Sequence, residues 1–509
     1  MPPETGNQSD PDPGISISLS LVSHTNAGKT TLARTLLAAD IGMIRDEAHV
    51  TEEAECFMLA RTPAGDELRL WDTPGFGDSH RLARRLEGSD HPFGWLLGQV
   101  WDRLRDRPLY SSQQAIRNVR EQADVVLYLV NAAEDPAEAG YVEPEMRILD
   151  WIGKPVVVLL NQTGRPRPPA EEAAELARWR AATASSTAVR EVIQLDAFAR
   201  CWVQESTLLA AVGRQLPEAL RPSFERLHTH WMGGRRERFD ASMGELARRI
   251  ARAAQDREIV ADGGLAGRIL DVGILPGRRR PERAGPRDRA MRALAERLDA
   301  DIRASVDELI RIHELSGRAG AVVMQRLAEH YAVSRPLSEG KAAVWGGLVT
   351  GALAGLKADL ATGGLTLGGG LIAGGVIGAL GAAGLARGYN MVRGGDQTTI
   401  TWADAILENL VVSALLSYLA VAHYGRGRGQ WSESEHPPHW EDTIRKALAE
   451  DGRGIMAMLA GRREHDTVEA LAARLAPVFI ELGLDVLARL YPDSMSDAGR
   501  SAASRSAAT

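Results

Sequence analysis

Gly28-Lys29-Thr30 places a lysine and a hydroxyl directly behind a glycine, an order that could do chemistry. It closes a stretch at 15–31 that reads ISISLSLVSHTNAGKTT. A run with strand character, Ile15 to Val22, comes first, and an apolar helical pattern (Leu32, Leu36, Leu37) follows. A loop between strand and helix wraps successive backbone N–H groups around a β-phosphate, and the helix N-terminus adds its partial positive charge. Lys29 would reach the β- and γ-phosphates, and the Thr30 hydroxyl would bind Mg2+. The expected phosphate-binding set is Ser23, Asn26, Ala27, Gly28, Lys29, Thr30 and Thr31. Ser23 departs from the pattern G-x-x-x-x-G-K-[ST], which begins with glycine.

A second group follows a second strand-like run. Leu68, Leu70 and Trp71 lead into Asp72-Thr73-Pro74-Gly75, 43 residues after Lys29. In GTPases an Asp-x-x-Gly after a strand holds Mg2+ through water, and the glycine N–H meets the γ-phosphate. Asp72 and Gly75 would take those parts here. Further on, Val156 to Leu160 ends in Asn161-Gln162-Thr163-Gly164.

Together these motifs resemble the TrmE–Era type of translation-factor-related GTPases, whose loop reads G-x-x-N-x-G-K-[ST] and whose second motif reads D-T-P-G. The resemblance covers about 40% of the chain. It implies that Asn26 helps bind a potassium ion beside the phosphates. It implies also that Thr51, 22 residues after Lys29, is the switch I threonine that closes over Mg2+. The catalytic set is then Lys29, Thr51, Asp72 and Gly75, and the Mg2+ ligands are Thr30, Thr51 and Asp72. Phe76 stands where Ras-like enzymes carry a water-orienting Gln. Hydrolysis would therefore be slow and rely on Mg2+, on potassium, or on a group supplied from elsewhere. The base-reading motif is degenerate. The family's N-K-x-D places an Asp against the guanine edge, and Gly164 cannot make that contact. Its loss should cost about 2–4 kcal/mol of selectivity. Asn161 matches the motif and could brace the loop, while Asp196 could supply the missing carboxylate or be an ordinary strand-end residue.

The elements that must position these residues can be read around them. Strand-like runs at 15–23, 54–60, 67–72, 124–131, 155–161 and 190–195 alternate with helical patterns at 31–40, 111–122, 139–151 and 169–186. That alternation predicts an α/β P-loop G domain over 15–203, a mostly parallel sheet with helices on both faces. An insertion near 79–112 carries Phe93, Trp95, Leu96, Leu97, Val100 and Trp101. It reads as a packed helix or as a nucleotide-dependent lid. Arg81, Arg84 and Arg85 nearby form either a solvated face or an approach to the phosphates. After about 204 the strand signals stop. Amphipathic stretches at 204–222, 237–257, 287–332, 440–460 and 466–491 predict a mainly α-helical domain to about 492. Residues 1–14 and 493–509 read as disordered.

Composition limits the rest. The net charge is −7 and the pI near 6.0, which makes no case for a nucleic-acid partner. Arg278, Arg279, Arg280, Arg283, Arg287 and Arg289 lie among Pro and Gly and read as a solvated linker or a lipid or RNA contact. Two distant cysteines, Cys56 and Cys201, argue against a disulfide framework or a zinc site.

Residues 342–386 hold two charges, Lys357 and Asp359. Gly347, Gly351 and Gly355 recur every four residues, as do Gly370, Gly374 and Gly378. The uncharged run from Leu360 to Ala386 spans 27 residues, more than the ~20 needed to cross a bilayer. The segment reads as a membrane-inserted hairpin or as a buried glycine-zipper hairpin. Leu410 to Val421 adds another buried or membrane-near helix. The expectation is a cytoplasmic GTP-binding protein on the inner face of a bacterial-type membrane. It would act as a slow Mg2+-dependent switch or remodelling GTPase, with GTP/GDP as ligands. A homodimer through the G domain is a further expected partner. The competing reading is a nucleotide-binding scaffold with little hydrolysis and relaxed base selectivity.

Overall fold

The computed structural model describes residues 14–24, 27–37, 54–87, 107–161, 169–195, 201–260, 286–314, 389–394, 397–423, 439–450, 452–462 and 466–492. The chain divides into two compact units. The first comprises Met1–Arg236, His423–Pro437 and Tyr491–Thr509, and the second Glu237–Ala422 and Pro438–Leu490.

The first unit is built on strands β1 (Ser16–Ser23), β2 (Glu55–Arg61), β3 (Glu67–Asp72), β4 (Val125–Asn131), β5 (Val156–Asn161) and β6 (Val189–Gln194). They form one sheet in the order β2-β3-β1-β4-β5-β6. All pairings are parallel except β2 with β3, which is antiparallel. The central strands are continuous apolar runs because both their faces are covered. All six residues of β5, Val-Val-Val-Leu-Leu-Asn, are buried. By contrast, β2 sits at the edge, and only Ala60 among its residues is buried. The register sets Leu21 of β1 beside Asp72 of β3 and Asn131 of β4 beside Asn161 of β5. The strand ends that carry the motifs therefore lie along one rim of the sheet.

Helices α1 (Lys29–Leu37), α2 (Ser79–Glu87), α3 (Arg107–Gln122), α4 (Val142–Ile152), α5 (Pro169–Thr183), α6 (Trp202–Gln215) and α7 (Arg221–Gln255) follow in chain order. One face of the sheet is covered by α1, α6 and the first turns of α7, through Leu32, Leu36, Leu208, Val212, Phe224 and Leu227. The other is covered by α2 to α5, through Leu82, Ile116, Val119, Met146, Leu149 and Trp179. Each such fully buried leucine or isoleucine contributes about 1.5–3 kcal/mol. The end of α4 shows how locally these helices are specified. Gly153 adopts a left-handed φ of 72°, and its N–H returns to Leu149 O at 3.0 Å.

The second unit is largely helical, with the later part of α7 joined by α8 (Pro286–Ile312), α9 (Asp404–Ala422), α10 (His439–Glu450), α11 (Arg453–Ala460) and α12 (Val468–Leu490). It also holds a small antiparallel sheet of β7 (Arg257–Val260), β9 (Gln397–Trp402) and β8 (Tyr389–Gly394), in that order. This corrects the expectation that strand signals cease after 204. β9 reads Gln-Thr-Thr-Ile-Thr-Trp, β-branched and aromatic, and two residues including Gly395 separate it from β8. The signal was obscured by the glycine-rich stretch before it, and β7 is only four residues at the end of a long helix.

α9 packs against α8, α10 and α11. It is long and apolar enough to cross a membrane, yet 72% of its apolar window is buried within the protein. The glycine-rich segment 342–386 lies outside the described residues, as do 1–13, most of the insertion near 79–112 and the tail.

Candidate functional site

Parallel pairing of β1 with β3 brings the phosphate loop and the Asp72 segment to adjacent strand ends. Gly28 opens α1 with φ 91°, a left-handed conformation that glycine tolerates and other residues rarely adopt. Lys29 then turns back over the loop, and its Nζ donates to Ser23 Oγ at 2.8 Å. Thr30 Oγ1 donates to Asp72 Oδ2 at 2.8 Å. The remaining carboxylate oxygen, Asp72 Oδ1, is buried and has no hydrogen-bond partner among the described residues. A buried acceptor left this way is costly unless a ligand completes it. Oxygen donors alone, a hydroxyl and a carboxylate, suit a hard divalent cation such as Mg2+. Of the expected Mg2+ ligands, Thr30 and Asp72 are thus brought together; Thr51 lies outside the described residues.

Both charged groups respond to burial. Desolvation lowers the Lys29 pKa, opposed by the nearby charges of Asp72 and Glu145. Desolvation raises the Asp72 pKa, opposed by Lys29 and by the Thr30 hydrogen bond. A triphosphate would complement Lys29 and a cation would complement Asp72.

The remaining loop residues are accounted for as far as they are described. Ala27 is buried, and its carbonyl accepts from Asn161 Nδ2 at 2.8 Å, a brace spanning 134 residues of sequence. Thr31 is half-buried, and its carbonyl accepts from Thr35 Oγ1 at 2.7 Å. Gly75 is buried in the turn before Phe76. Thr73 Oγ1 donates to Leu21 O at 2.6 Å and Phe76 N–H to Ser23 O at 3.0 Å, so the Asp72 segment is tied to β1 on both sides. Phe76 has no exposed surface and belongs to the core. Asp78 Oδ1 caps α2 through the Arg81 N–H at 3.0 Å. Asn26, Gly164 and Asp196 lie outside the described residues.

Three site residues were not anticipated: His24, Tyr128 and Glu145. His24 Nδ1 lies 2.8 Å from Glu145 Oε1, and Tyr128 OH donates to Glu145 Oε2 at 2.6 Å. One signal for Glu145 was available. Val142, Glu145, Met146 and Leu149 share one helical stripe, and a carboxylate on an otherwise apolar stripe is unusual.

Residues 18–162 match the family model described as 50S ribosome-binding GTPase, and residues 328–473 match a domain of unknown function, DUF3482. Among solved structures, an Era variant from Aquifex aeolicus bound to GDP and AlF4− is 19% identical, with a TM-score of 0.31 over 40% of this chain and 58% of that one. The elongation factor SelB of Methanococcus maripaludis, with a GTP analogue, is 17% identical, with a TM-score of 0.24 over 36% and 30%. The FeoB G-domain of Methanococcus jannaschii is 14% identical, with a TM-score of 0.20 over 36% and 86%. The chain thus spans little more than half of the Era chain. At such TM-scores the likeness decides nothing by itself. No curated protein matches the chain. The family model and the loop define the first domain as a P-loop GTPase domain that binds GTP. That domain is followed in the chain by the residues that match DUF3482.

Proposed function

We propose that the protein hydrolyses GTP slowly in a Mg2+-dependent reaction and works as a membrane-associated switch. The observation that carries this reading is the pairing of Thr30 with Asp72 at 2.8 Å, next to the buried, unpartnered Asp72 Oδ1. Thr30 and Asp72 would hold the ion, which would neutralise charge on the β- and γ-phosphates. Lys29 would hold those phosphates and Gly75 would meet the γ-phosphate through its N–H. Asn26 would be the potassium ligand and Thr51 the switch I ligand to Mg2+. With Phe76 buried, that position contributes no polar group to orient water, which is why turnover is expected to be slow. The same observation favours a second reading, a nucleotide-binding scaffold that hydrolyses little.

The membrane part of the proposal rests on sequence, the 27-residue uncharged run within 342–386. A homodimer through the G domain completes the expected partners. Single-turnover hydrolysis of GTP, ATP and XTP by the full chain, with and without Mg2+ and K+, tests the enzyme. Mg2+-dependent GTP turnover supports it, and tight binding without turnover leaves the scaffold. Cell fractionation tests the membrane. Wild-type protein found wholly in the supernatant and monodisperse without detergent would end that part.

A further inference from the structure

Glu145 has no exposed surface, and the nucleotide chemistry above makes no use of its carboxylate. Polar groups reach it from two other elements. His24, on the phosphate loop, sets Nδ1 2.8 Å from Oε1, and Tyr128, on β4, donates to Oε2 at 2.6 Å. The Ser79 hydroxyl, on the first residue of α2, is buried without a hydrogen-bond partner among the described residues. Lys29 adds its field from further away. Tyr141 stacks on the His24 ring at 4.3 Å and 14°, and its hydroxyl is anchored on Glu134 Oε2 at 2.7 Å. The imidazole is therefore held on two sides.

Stability alone does not account for this arrangement. Desolvation raises the Glu145 pKa against the pull of His24 and Tyr128. An apolar side chain of the same volume would pack at that place without the penalty of a buried charge. The first turn of α4 offsets part of that penalty through its aligned N–H groups. What the carboxylate adds is a connection. His24 bridges in parallel to Phe76, directly after the Asp72-Gly75 turn, and Ser79 opens the helix that follows. One buried group thus holds His24, the residue at which the loop that would hold the phosphates meets the segment that would sense the γ-phosphate.

We propose that Glu145 is a positioning residue that couples the phosphate loop, through His24, to α4, against which α2 packs. This rests on the reading of Lys29 and Asp72 as the GTP site. When a γ-phosphate draws in the Asp72-Gly75 turn, α2 shifts against α4, and the loop follows because Glu145 on α4 holds His24. The neutral Glu145→Gln side chain can accept from Tyr128 and meet His24 through its amide N–H, but it loses the charge that strengthens the bond to His24.

The test uses the full chain as Glu145→Gln and as His24→Asn. Three readouts decide it: affinity for fluorescent GDP and for a non-hydrolysable GTP analogue, single-turnover GTP hydrolysis, and hydrogen exchange of α2 amides in each nucleotide state. Both variants are expected to melt within a few degrees of wild type and to bind GDP within about twofold. Both should lose about tenfold in analogue affinity relative to GDP and in hydrolysis, and the analogue should no longer slow α2 exchange. Wild-type affinity ratios and exchange responses in both variants would overturn the proposal. So would GDP and analogue affinities that fall equally and in step with melting temperature. If wild-type α2 ignores the analogue while both nucleotides bind, the coupling alone is wrong. If wild type binds neither nucleotide, the GTP-site reading fails as well.

Discussion

Asp66 and Asp72 stand at opposite ends of one strand, nearly equally buried, at 1% and 3% exposure. Asp66 is fully served by the chain. It accepts from Arg226 Nε at 2.7 Å and Nη2 at 2.9 Å, from Thr62 Oγ1 at 3.2 Å and from the Ile15 N–H at 3.3 Å. The Arg226 hydrogen bonds are the main reason its pKa falls to about 2. Asp72 has Thr30 on one oxygen and nothing on the other among the described residues, and burial moves its pKa the opposite way. Burial is therefore a poor guide to function. A buried carboxylate whose partners are complete holds the fold, and one whose partners are incomplete waits for a ligand.

The comparison breaks most visibly at Lys29, whose charge opposes the burial of Asp72. Lys29→Ala should weaken triphosphate affinity by at least 100-fold, about 3 kcal/mol, with the fold intact. Fluorescent-nucleotide titration beside circular dichroism checks this, and unchanged affinity would remove the phosphate-loop assignment. Asp72→Asn should reduce Mg2+-dependent hydrolysis by about tenfold or more. Its raised pKa means that the charged form is disfavoured in the fold at neutral pH, so the neutral isostere should melt no lower than wild type. A clear fall in melting temperature would make Asp72 a structural residue like Asp66.

Gly164→Asp tests a carboxylate that position 164 lacks. It should raise the GTP-over-ATP preference by about tenfold, read from competition titrations. A wild-type preference already in the thousands would point to another base-reading group such as Asp196. Asp66→Asn should leave GDP affinity within about twofold and lower stability instead. The depressed pKa fixes the pH window. The stability from this carboxylate is fully present above its ordinary value of 3.8 and is lost as pH falls through about 2. Denaturant midpoints of wild type and Asp66→Asn should therefore converge between pH 4 and 2.

The sheet was legible because its strands are self-contained signals. Val156 to Leu160 is a short β-branched and apolar run within an alternating pattern, which reads as a covered strand, and the strand forms at Val156–Asn161. Lys29, Thr30 and Asp72 were legible for a related reason, since each lies in a motif whose spacing declares its partners. His24 and Glu145 are 121 residues apart, and no local pattern joins them. The same holds for Asn161 with Ala27 and for β7 with β9, where the pairing partner is distant and the local segment short. Asp66 carries no sequence signal of its role, because its decisive partner, Arg226, lies 160 residues on.

The covering of α9 has a consequence for how the chain is made. One of its partners, α8, has emerged from the ribosome before it, but α10 and α11 follow, ending about 40 residues later. At roughly 5–20 residues per second, a helix with mean hydropathy 1.9 stays half-clothed for about 2–8 s of synthesis. During that interval it offers insertion machinery and chaperones the same apolar surface. Truncations that stop between α9 and α10 should therefore be far more prone to capture or precipitation than truncations that stop before α9.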